Sequence, residues 1–415
     1  MEKLHYDVLI AGAGPAGIAA ALAAARSGAH TALLERYGCV GGGITQFYVR
    51  PFLGWTENRQ IGFEIEQRCN AYTDFMSPVE SAKIALPQML KEAGVDVFLQ
   101  TVLTAAERVG SNISSVTAHS RSGDIVFTAD AYIDATGDGE LSFLSGAEIR
   151  YGRDRDGLLQ PASVMFTIDG IEDPDMDLIC EYELDHQIMS DGRDYLELCR
   201  KACEDGILPS NINIVRLYKT GRVGERMVNA TQANYVNVLD PRAVADAELL
   251  LREQVLTVTK FLRETVPGFR NIRVSGSAFT LGVRESRRVM GDYVLCAQDL
   301  IDGRQFDDAV VHNANFCIDI HNPDGPGQAE DNVDAYRAQN YDIPYRCLCP
   351  RGIDNLLTAG RCISGTHEAH ASYRVMRICM GMGHAAGAAA AQMHEKQCRS
   401  RDIDISAVQK AVGII

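Results

Sequence analysis

Three glycines near the start of the chain, Gly12, Gly14 and Gly17, carry the first chemical signal. They lie in Gly12-Ala13-Gly14-Pro15-Ala16-Gly17, directly after the apolar run Tyr6-Asp7-Val8-Leu9-Ile10-Ala11. At this spacing the first glycine permits a tight turn. The second lets the backbone approach a pyrophosphate, and the third lets a helix pack closely on a strand. The helix that follows offers free N–H groups and a positive dipole end to the phosphates. A second strand, Thr31-Ala32-Leu33-Leu34, ends at Glu35, where a carboxylate can accept hydrogen bonds from a ribose. Strand, glycine turn, helix, strand and acid in this order predict a dinucleotide site. The alternative, an Ala/Gly-rich core unit without ligand, does not need three glycines so spaced.

Other groups could act on a substrate. Arg284, Arg287 and Arg288 form a dense basic run around Glu285. Either Arg284 stabilises an anion or oxyanion, or the run is a salt-bridged connection. Asp319-Ile320-His321, with His312 upstream, places an acid and an imidazole on one face of an extended segment, since strand side chains repeat with period two. That arrangement suits a histidine oriented by an aspartate, or a structural polar pair. Cys39 lies in the loop Glu35-Arg36-Tyr37-Gly38-Cys39-Val40-Gly41-Gly42-Gly43 without a CxxC or CxxxxC partner, so it reads as a packed thiol. Cys199 with Cys203, and Cys347 with Cys349, lack the spacing of zinc or iron–sulfur ligands, and no metal is expected. Trp55, Phe47, Tyr48 and Phe52 follow the glycine loop and either wall a cofactor or fill a core.

These groups need a scaffold. A chain of 415 residues points to two domains. A net charge of −15 argues against nucleic acid and anionic membrane surfaces as partners. No apolar run reaches the roughly 18 residues of a membrane span. The first strand begins within six residues of Met1, which leaves no room for a signal peptide and predicts a cytoplasmic location with its cysteines mostly reduced. A helix is expected from Pro78 to Gly94 and a strand over Val95–Leu99. Hairpin-like strands follow over Val102–Arg108, Ile113–Ser120 and Ile125–Ile133, the last leading to Ala135-Thr136-Gly137-Asp138. A strand over Ser163–Ile168 precedes a polar stretch. A long amphipathic helix over Pro241–Thr265 carries Leu249, Leu250, Val255, Leu256 and Leu262. The buried-strand pattern returns at Leu356–Gly360, before a Gly/Ala-rich helix over about Arg374–Gln397.

The glycine loop, the Thr136-Gly137-Asp138 closure, Leu357-Thr358-Ala359-Gly360-Arg361 and Gly381-Met382-Gly383-His384-Ala385-Ala386-Gly387 together resemble the glutathione-reductase-type FAD-binding fold. Gly282-Val283-Arg284-Glu285-Ser286-Arg287-Arg288, Ile343-Pro344-Tyr345-Arg346-Cys347 and Ala359-Gly360-Arg361-Cys362-Ile363-Ser364 resemble the bacterial FAD-dependent oxidoreductase family, over nearly the whole chain. The resemblance implies an α/β protein with FAD as cofactor. A Rossmann-like FAD-binding domain (1–150, 275–300 and 345–415) would be interrupted by an α+β substrate or cap domain (151–274 and 301–344). It implies cofactor contacts from Gly12, Gly14, Pro15, Ala16 and Gly17. Glu35, Arg36, Gly42, Gly43 and Val102 follow along the chain, then Thr136, Gly137, Asp138, Gly360 and Arg361. Gly381, Met382 and Gly383 would bring the positive end of the last helix to the flavin. Many relatives carry Gly-Asp where this chain has Gly360-Arg361. An arginine cannot accept hydrogen bonds, so Arg361 is expected at the pyrophosphate instead.

In the fold resembled, the segment with His367, His370, Tyr373 and Arg374 passes the isoalloxazine. The His370-x-x-x-Arg374 spacing is similar to a run in succinate dehydrogenase and fumarate reductase flavoproteins. There the pair holds a carboxylate or polarises a carbonyl. The alternative is that these side chains cap the last helix. With Arg284, they are the catalytic candidates. A second GxGxxG is absent, so electrons are expected from a small organic substrate, or from a partner protein, rather than from a separate NAD(P)H domain. The activity expected is hydride transfer between a small carboxylate or carbonyl compound and flavin N5. A monooxygenase or oxidase using O2 and an electron-transfer subunit are the competing flavoprotein readings. A binding protein of the GDP-dissociation-inhibitor type has no need of Glu35 or the Thr-Gly-Asp closure. A homo-oligomer is compatible with the sequence.

Overall fold

The computed structural model describes residues 2–181, 185–327 and 338–415. The parts of the expected cap segments at 182–184 and 328–337 lie outside the described residues. The chain opens with β1 (Glu2–Ala11), α1 (Pro15–Arg26) and β2 (Thr31–Leu34), then α2 (Gln60–Cys69), α3 (Pro78–Glu92) and β3 (Asp96–Phe98). A meander of β4 (Val102–Val109), β5 (Asn112–Ser120) and β6 (Gly123–Asp134) leads to α4 (Glu140–Leu144) and β7 (Ile149–Tyr151). The middle holds β8 (Phe166–Asp169), α5 (Tyr195–Glu204), β9 (Arg216–Lys219), β10 (Arg226–Asn229), α6 (Pro241–Thr265) and β11 (Arg273–Ser277). Then come β12 (Arg287–Val289), α7 (Ala297–Ile301), β13 (Ala309–Ala314), β14 (Tyr341–Pro344) and β15 (Leu356–Thr358). Helices α8 (His367–Tyr373), α9 (Met376–Lys396) and α10 (Ile405–Val412) close the chain.

The first sheet has seven strands in the order β3-β2-β1-β6-β5-β4, with β15 beside the end of β6. β6 is long because it serves two neighbours on one side. Its first half pairs antiparallel with β5, and its last residues, Tyr132–Asp134, pair parallel with β15. On its other side β1 runs parallel to it from Glu2 to Ala11. Val8, Leu9, Ile10 and Ala11 are fully buried, as a parallel strand covered on both faces requires. The carboxyl ends of β1, β2, β6 and β15 therefore converge at one edge, where ligands bind in open α/β sheets.

The covering layer explains the alanines and glycines of the two main helices. α1 and α9 cross with their backbones nearly touching. A Cβ on Gly383 would lie 2.0 Å from the Ala16 carbonyl oxygen, and one on Gly387 would lie 2.2 Å from that of Ala20. The second sheet, β11-β8-β10-β9, is antiparallel and packs against α5 and α6 in a core of its own. The bounds of α6 are those expected, with Asp240 capping its first turn. Its buried stripe differs. Ala247, Leu251, Val255, Val258 and Leu262 face the core, whereas Leu249, Leu250 and Leu256 are exposed. The helix sits on its sheet along this i, i+3/i+4 row, and Leu249, Leu250 and Leu256 fall on the other side of it.

The chain divides differently from expectation. β11 pairs with β8 and belongs to the second sheet, although the FAD-binding segment was expected to resume at residue 275. Conversely, β13 and β14 bury Val310, Val311, Ala314, Tyr341 and Ile343 in the core of α1 and α9, although 301–344 was expected in the cap. No helix among the described residues is long and apolar enough to cross a membrane.

Candidate active site

A single cleft of about 1050 Å³ opens at the carboxyl edge of the first sheet and extends under the second. That is at the large end of ligand clefts. One end is a phosphate cradle. Gly14 is the N-cap of α1, without a capping side chain and without an acid in the first turn. A Cβ built on Gly14 meets nothing within 4 Å, so this glycine faces open cleft. Gly12 and Gly17 are different. Gly12 has φ of +93° and its Cβ would lie 2.5 Å from the Ala135 carbonyl oxygen; that of Gly17 would lie 1.8 Å from the Gly12 oxygen. These two close the turn onto the sheet.

Glu35 is buried at the end of β2. Its carboxylate accepts from the Ala13 amide at 2.8 Å and the Tyr37 amide at 2.9 Å. Burial raises its pKa against the pull of those amides. The two bonds aim the carboxylate, and each oxygen keeps a lone pair for a ribose hydroxyl. Asp138 accepts from Arg361 at 2.8 Å, from Arg36 at 2.7 Å and from the Ser286 hydroxyl at 2.6 Å. Burial opposes its ionisation, but Arg361 and Arg36 outweigh that and hold it below the usual carboxylate range. Arg361 is thus anchored on the cleft wall by an acid and by Ser286.

The other end is built from four separate segments. Arg216 and Tyr218 alternate along β9, Arg284 precedes β12, and Asp319 and His321 lie on the extended stretch after β13. Arg374 occupies the joint where α8 ends and α9 begins. Period two operates after β13: Ile318 and Ile320 are buried in the core, and Cys317, Asp319 and His321 line the cleft. Arg374 donates through Nη2 to the Asp319 carboxylate at 3.1 Å and its carbonyl at 3.0 Å, while its buried Nε has no hydrogen-bond partner among the described residues. His321 Nε2 is 3.4 Å from Asp319 Oδ2. Arg284 donates to the Pro161 carbonyl at 2.6 Å and, weakly, to Asn229 at 3.5 Å.

Electrostatics at this end follow from crowded positive charge. Burial and then Arg374 bring the Arg284 guanidinium down to about 9, with Arg216 adding to the effect. Burial and then Arg284 push His321 down to about 3, against Asp319. Asp319 is held far below the usual range. Burial opposes this, but His321, Arg374 and Arg216 dominate. An anion placed here relieves the arginines.

Residues 7–412 match the family described as FAD dependent oxidoreductase. The chain belongs to this family. A soluble pyridine nucleotide transhydrogenase of Hahella chejuensis is 28% identical over 159 residues, 37% of this chain and 30% of that protein. One of Photorhabdus laumondii is 39% identical over 51 residues, 12% of this chain and 11% of its own length. The chain thus spans under a third of these curated relatives. Among solved structures, a geranylgeranyl bacteriochlorophyll reductase-like protein of Thermoplasma acidophilum superposes with a TM-score of 0.50 at 13% identity, covering 99% of this chain and 83% of that one. The OxyS anhydrotetracycline hydroxylase of Streptomyces rimosus gives 0.51 at 13% identity, covering 99% and 65%. These likenesses concern the fold.

This member of the FAD-dependent oxidoreductase family is an FAD enzyme, and its own residues fit the cofactor. The uncapped α1 terminus, the open space over Gly14 and the oriented Glu35 suit the adenosine diphosphate half. Pro15, Ala16, Arg36, Gly42, Gly43, Thr136, Gly137 and Gly360 line the same end. Val102 does not. Its side chain points outward on β4, and its strand neighbours Thr101 and Leu103 face the cleft instead. Gly381, Met382 and Gly383 are also misplaced by the sequence reading. They begin five residues inside α9, where Gly381 packs on Val311 and Thr56, and Gly383 on Ala16. At the start of α9, its N-cap Val375 together with Met376 and Cys379 reaches the cleft.

Of the catalytic candidates, Arg284 and Arg374 line the cleft; His367, His370 and Tyr373 do not. α8 sits buried behind the wall, with all three side chains packed inside the protein. His367 Nδ1 lies 2.9 Å from a Glu285 oxygen, and the Tyr373 hydroxyl donates to the Ile363 carbonyl at 3.0 Å. The His370 ring meets the Tyr373 ring edge-on, with burial and then Arg288 holding it neutral. Arg288 pairs with buried Glu285 and is structural. His312 pairs with Asp342 at 2.9 Å, away from the cleft. Cys39 also lies off it, and of the aromatics after the glycine loop only Phe47 lines it. Arg50, Arg216 and Tyr218 were missed. The alternation Arg216-Leu217-Tyr218 is a strand signal, with Leu217 fully buried, but nothing local says which sheet or cleft it faces.

Proposed function

We propose that this enzyme transfers a hydride between a small organic acid and the N5 position of FAD. The observation that carries the proposal is the convergence of Arg216, Arg284 and Arg374 around Asp319 and His321 in the same cleft as the phosphate cradle. Flavin, when bound, supplies a two-electron acceptor at N5. The protein supplies the rest. Arg284 and Arg374 offer guanidinium groups suited to a carboxylate. Arg374 has a buried Nε that a ligand oxygen can satisfy. The joint between α8 and α9 aims that side chain, and Asp319 fixes it. The second sheet contributes Arg216, Tyr218 and Asn229 to the cleft wall.

The reading is tested by anaerobic mixing of the FAD-loaded protein with organic acids and with their amide or ester analogues. Bleaching of the flavin by acids, weak or absent with the neutral analogues, is expected. Equal bleaching by neutral analogues would refute carboxylate recognition.

A further inference from the structure

We propose that His321 is the proton acceptor for a 2-hydroxycarboxylate substrate whose carboxylate is held by Arg284 and Arg374. This rests on the organic-acid reading above and narrows it to one substrate class. In the step proposed, the C–H and O–H bonds of the carbinol break and a C=O bond forms. The hydride carries both electrons to the flavin, and the hydroxyl proton passes to the imidazole. The product is a 2-oxo acid.

The geometry supplies an oriented base beside a carboxylate site. Asp319 Oδ2 lies 3.4 Å from His321 Nε2, so the aspartate favours the Nε2–H tautomer and leaves Nδ1 to accept a proton. The ring is carried on a segment pinned by Ile318 and Ile320 in the core, and the His321 amide donates to Gln160 Oε1 at 3.3 Å. Asp319 also receives Arg374, which ties the carboxylate-binding side chain and the base to one acid.

Charge explains when the base becomes active. After burial, the field of Arg284 is the largest influence that strips the proton from His321, with Arg216 acting in the same sense and Asp319 against them. A carboxylate on Arg284 cancels part of that field, so binding the acid raises the basicity of the imidazole at the moment a proton must be taken. The same crowding disfavours a 2-amino acid, whose ammonium would enter among three arginines. A saturated acid offers no hydroxyl proton for the pair to take.

The test uses FAD-loaded protein. Lactate, malate, 2-hydroxyglutarate and mandelate are mixed anaerobically beside alanine, glutamate and succinate. At least one 2-hydroxy acid should bleach the flavin, and His321→Gln should slow that reduction by about 10²–10⁴-fold. Oxalate, which cannot be oxidised this way, should bind His321→Gln within a few-fold of the unchanged protein by calorimetry, and Arg284→Met should weaken it about tenfold or more. Should His321→Gln fail to load FAD, the unchanged enzyme decides. Deuterated water and 2-deuterated substrate should each slow flavin reduction. Bleaching by amino or saturated acids alone, wild-type reduction by His321→Gln, or no solvent isotope effect would overturn the proposal. The organic-acid reading would survive any of these; it falls if no organic acid bleaches the flavin, or if neutral analogues bleach it equally.

Discussion

The three glycines of the cradle should separate cleanly on substitution. At Gly14, φ is −74° and a Cβ meets nothing within 4 Å. Any L-residue can adopt that backbone, so Gly14→Val should leave the cofactor-free protein as stable as before, within about 0.5 kcal/mol. The valine methyls would occupy the space through which a pyrophosphate approaches the first-turn amides. Charge-assisted hydrogen bonds are worth about 1.5–3 kcal/mol each. Losing two should weaken FAD binding by about 10²–10⁴-fold. Gly17→Ala is the opposite case. Its Cβ would lie 1.8 Å from the Gly12 oxygen, which is backbone and cannot swing away. The helix must shift, at a cost of several kcal/mol. The assay is thermal unfolding of the cofactor-free proteins together with FAD titration by fluorescence quenching. Normal FAD affinity in Gly14→Val, or unchanged Tm in Gly17→Ala, would refute this division of labour.

Other substitutions follow from the same geometry. Glu35→Ala removes an acceptor that is already oriented by two amides, and should cost FAD binding about 1–3 kcal/mol, read by the same titration. Arg374→Met should keep FAD and lower flavin reduction by about 10²–10³-fold, with Arg284→Met weaker in the same sense. His370→Ala, behind the wall, should lower Tm by opening a cavity while the folded fraction reduces faster than Arg374→Met, a comparison made by stopped-flow on FAD-matched samples. His384 is buried in α9 and pushed from 6.5 down to about 4, by burial first and then by Arg26. Between those values the unfolded chain binds the proton and the folded chain does not. Its contribution, up to about 3 kcal/mol, is therefore present above pH 6.5 and lost as pH falls toward 4. His384→Gln should flatten the fall of Tm over that range.

The nucleotide half was legible because each signal there has a local cause. Gly12 needs positive φ, Gly17 needs to be small, and Glu35 stands at a strand end, all within one unit of chain. The substrate half was legible only in pieces. Asp319 and His321 share a face through period two, which sequence can state, but that the face belongs to a cleft depends on β13 docking into the first core. Arg216 and Tyr218 come from another sheet altogether. Gly381 and Gly383 misled because a glycine that lets a helix pack closely on its protein neighbours looks, in sequence, like one at a helix start that faces a cofactor. The last helix was expected from about Arg374, and the short helix α8 ahead of it, capped by Thr366 and ending at Arg374, was not foreseen. The joint between the two helices places Arg374 in the cleft and leaves His370 behind it.

The central claim is that one cleft brings an organic acid against the flavin through Arg284 and Arg374. It is tested most directly by titrating the oxidised, FAD-loaded protein with a non-reducing carboxylate such as oxalate while the visible flavin bands are recorded. The account predicts a saturable perturbation of those bands that is lost or greatly weakened in Arg284→Met and Arg374→Met, with FAD content unchanged. A flavin spectrum indifferent to carboxylates, or a perturbation that survives in both variants, would contradict it.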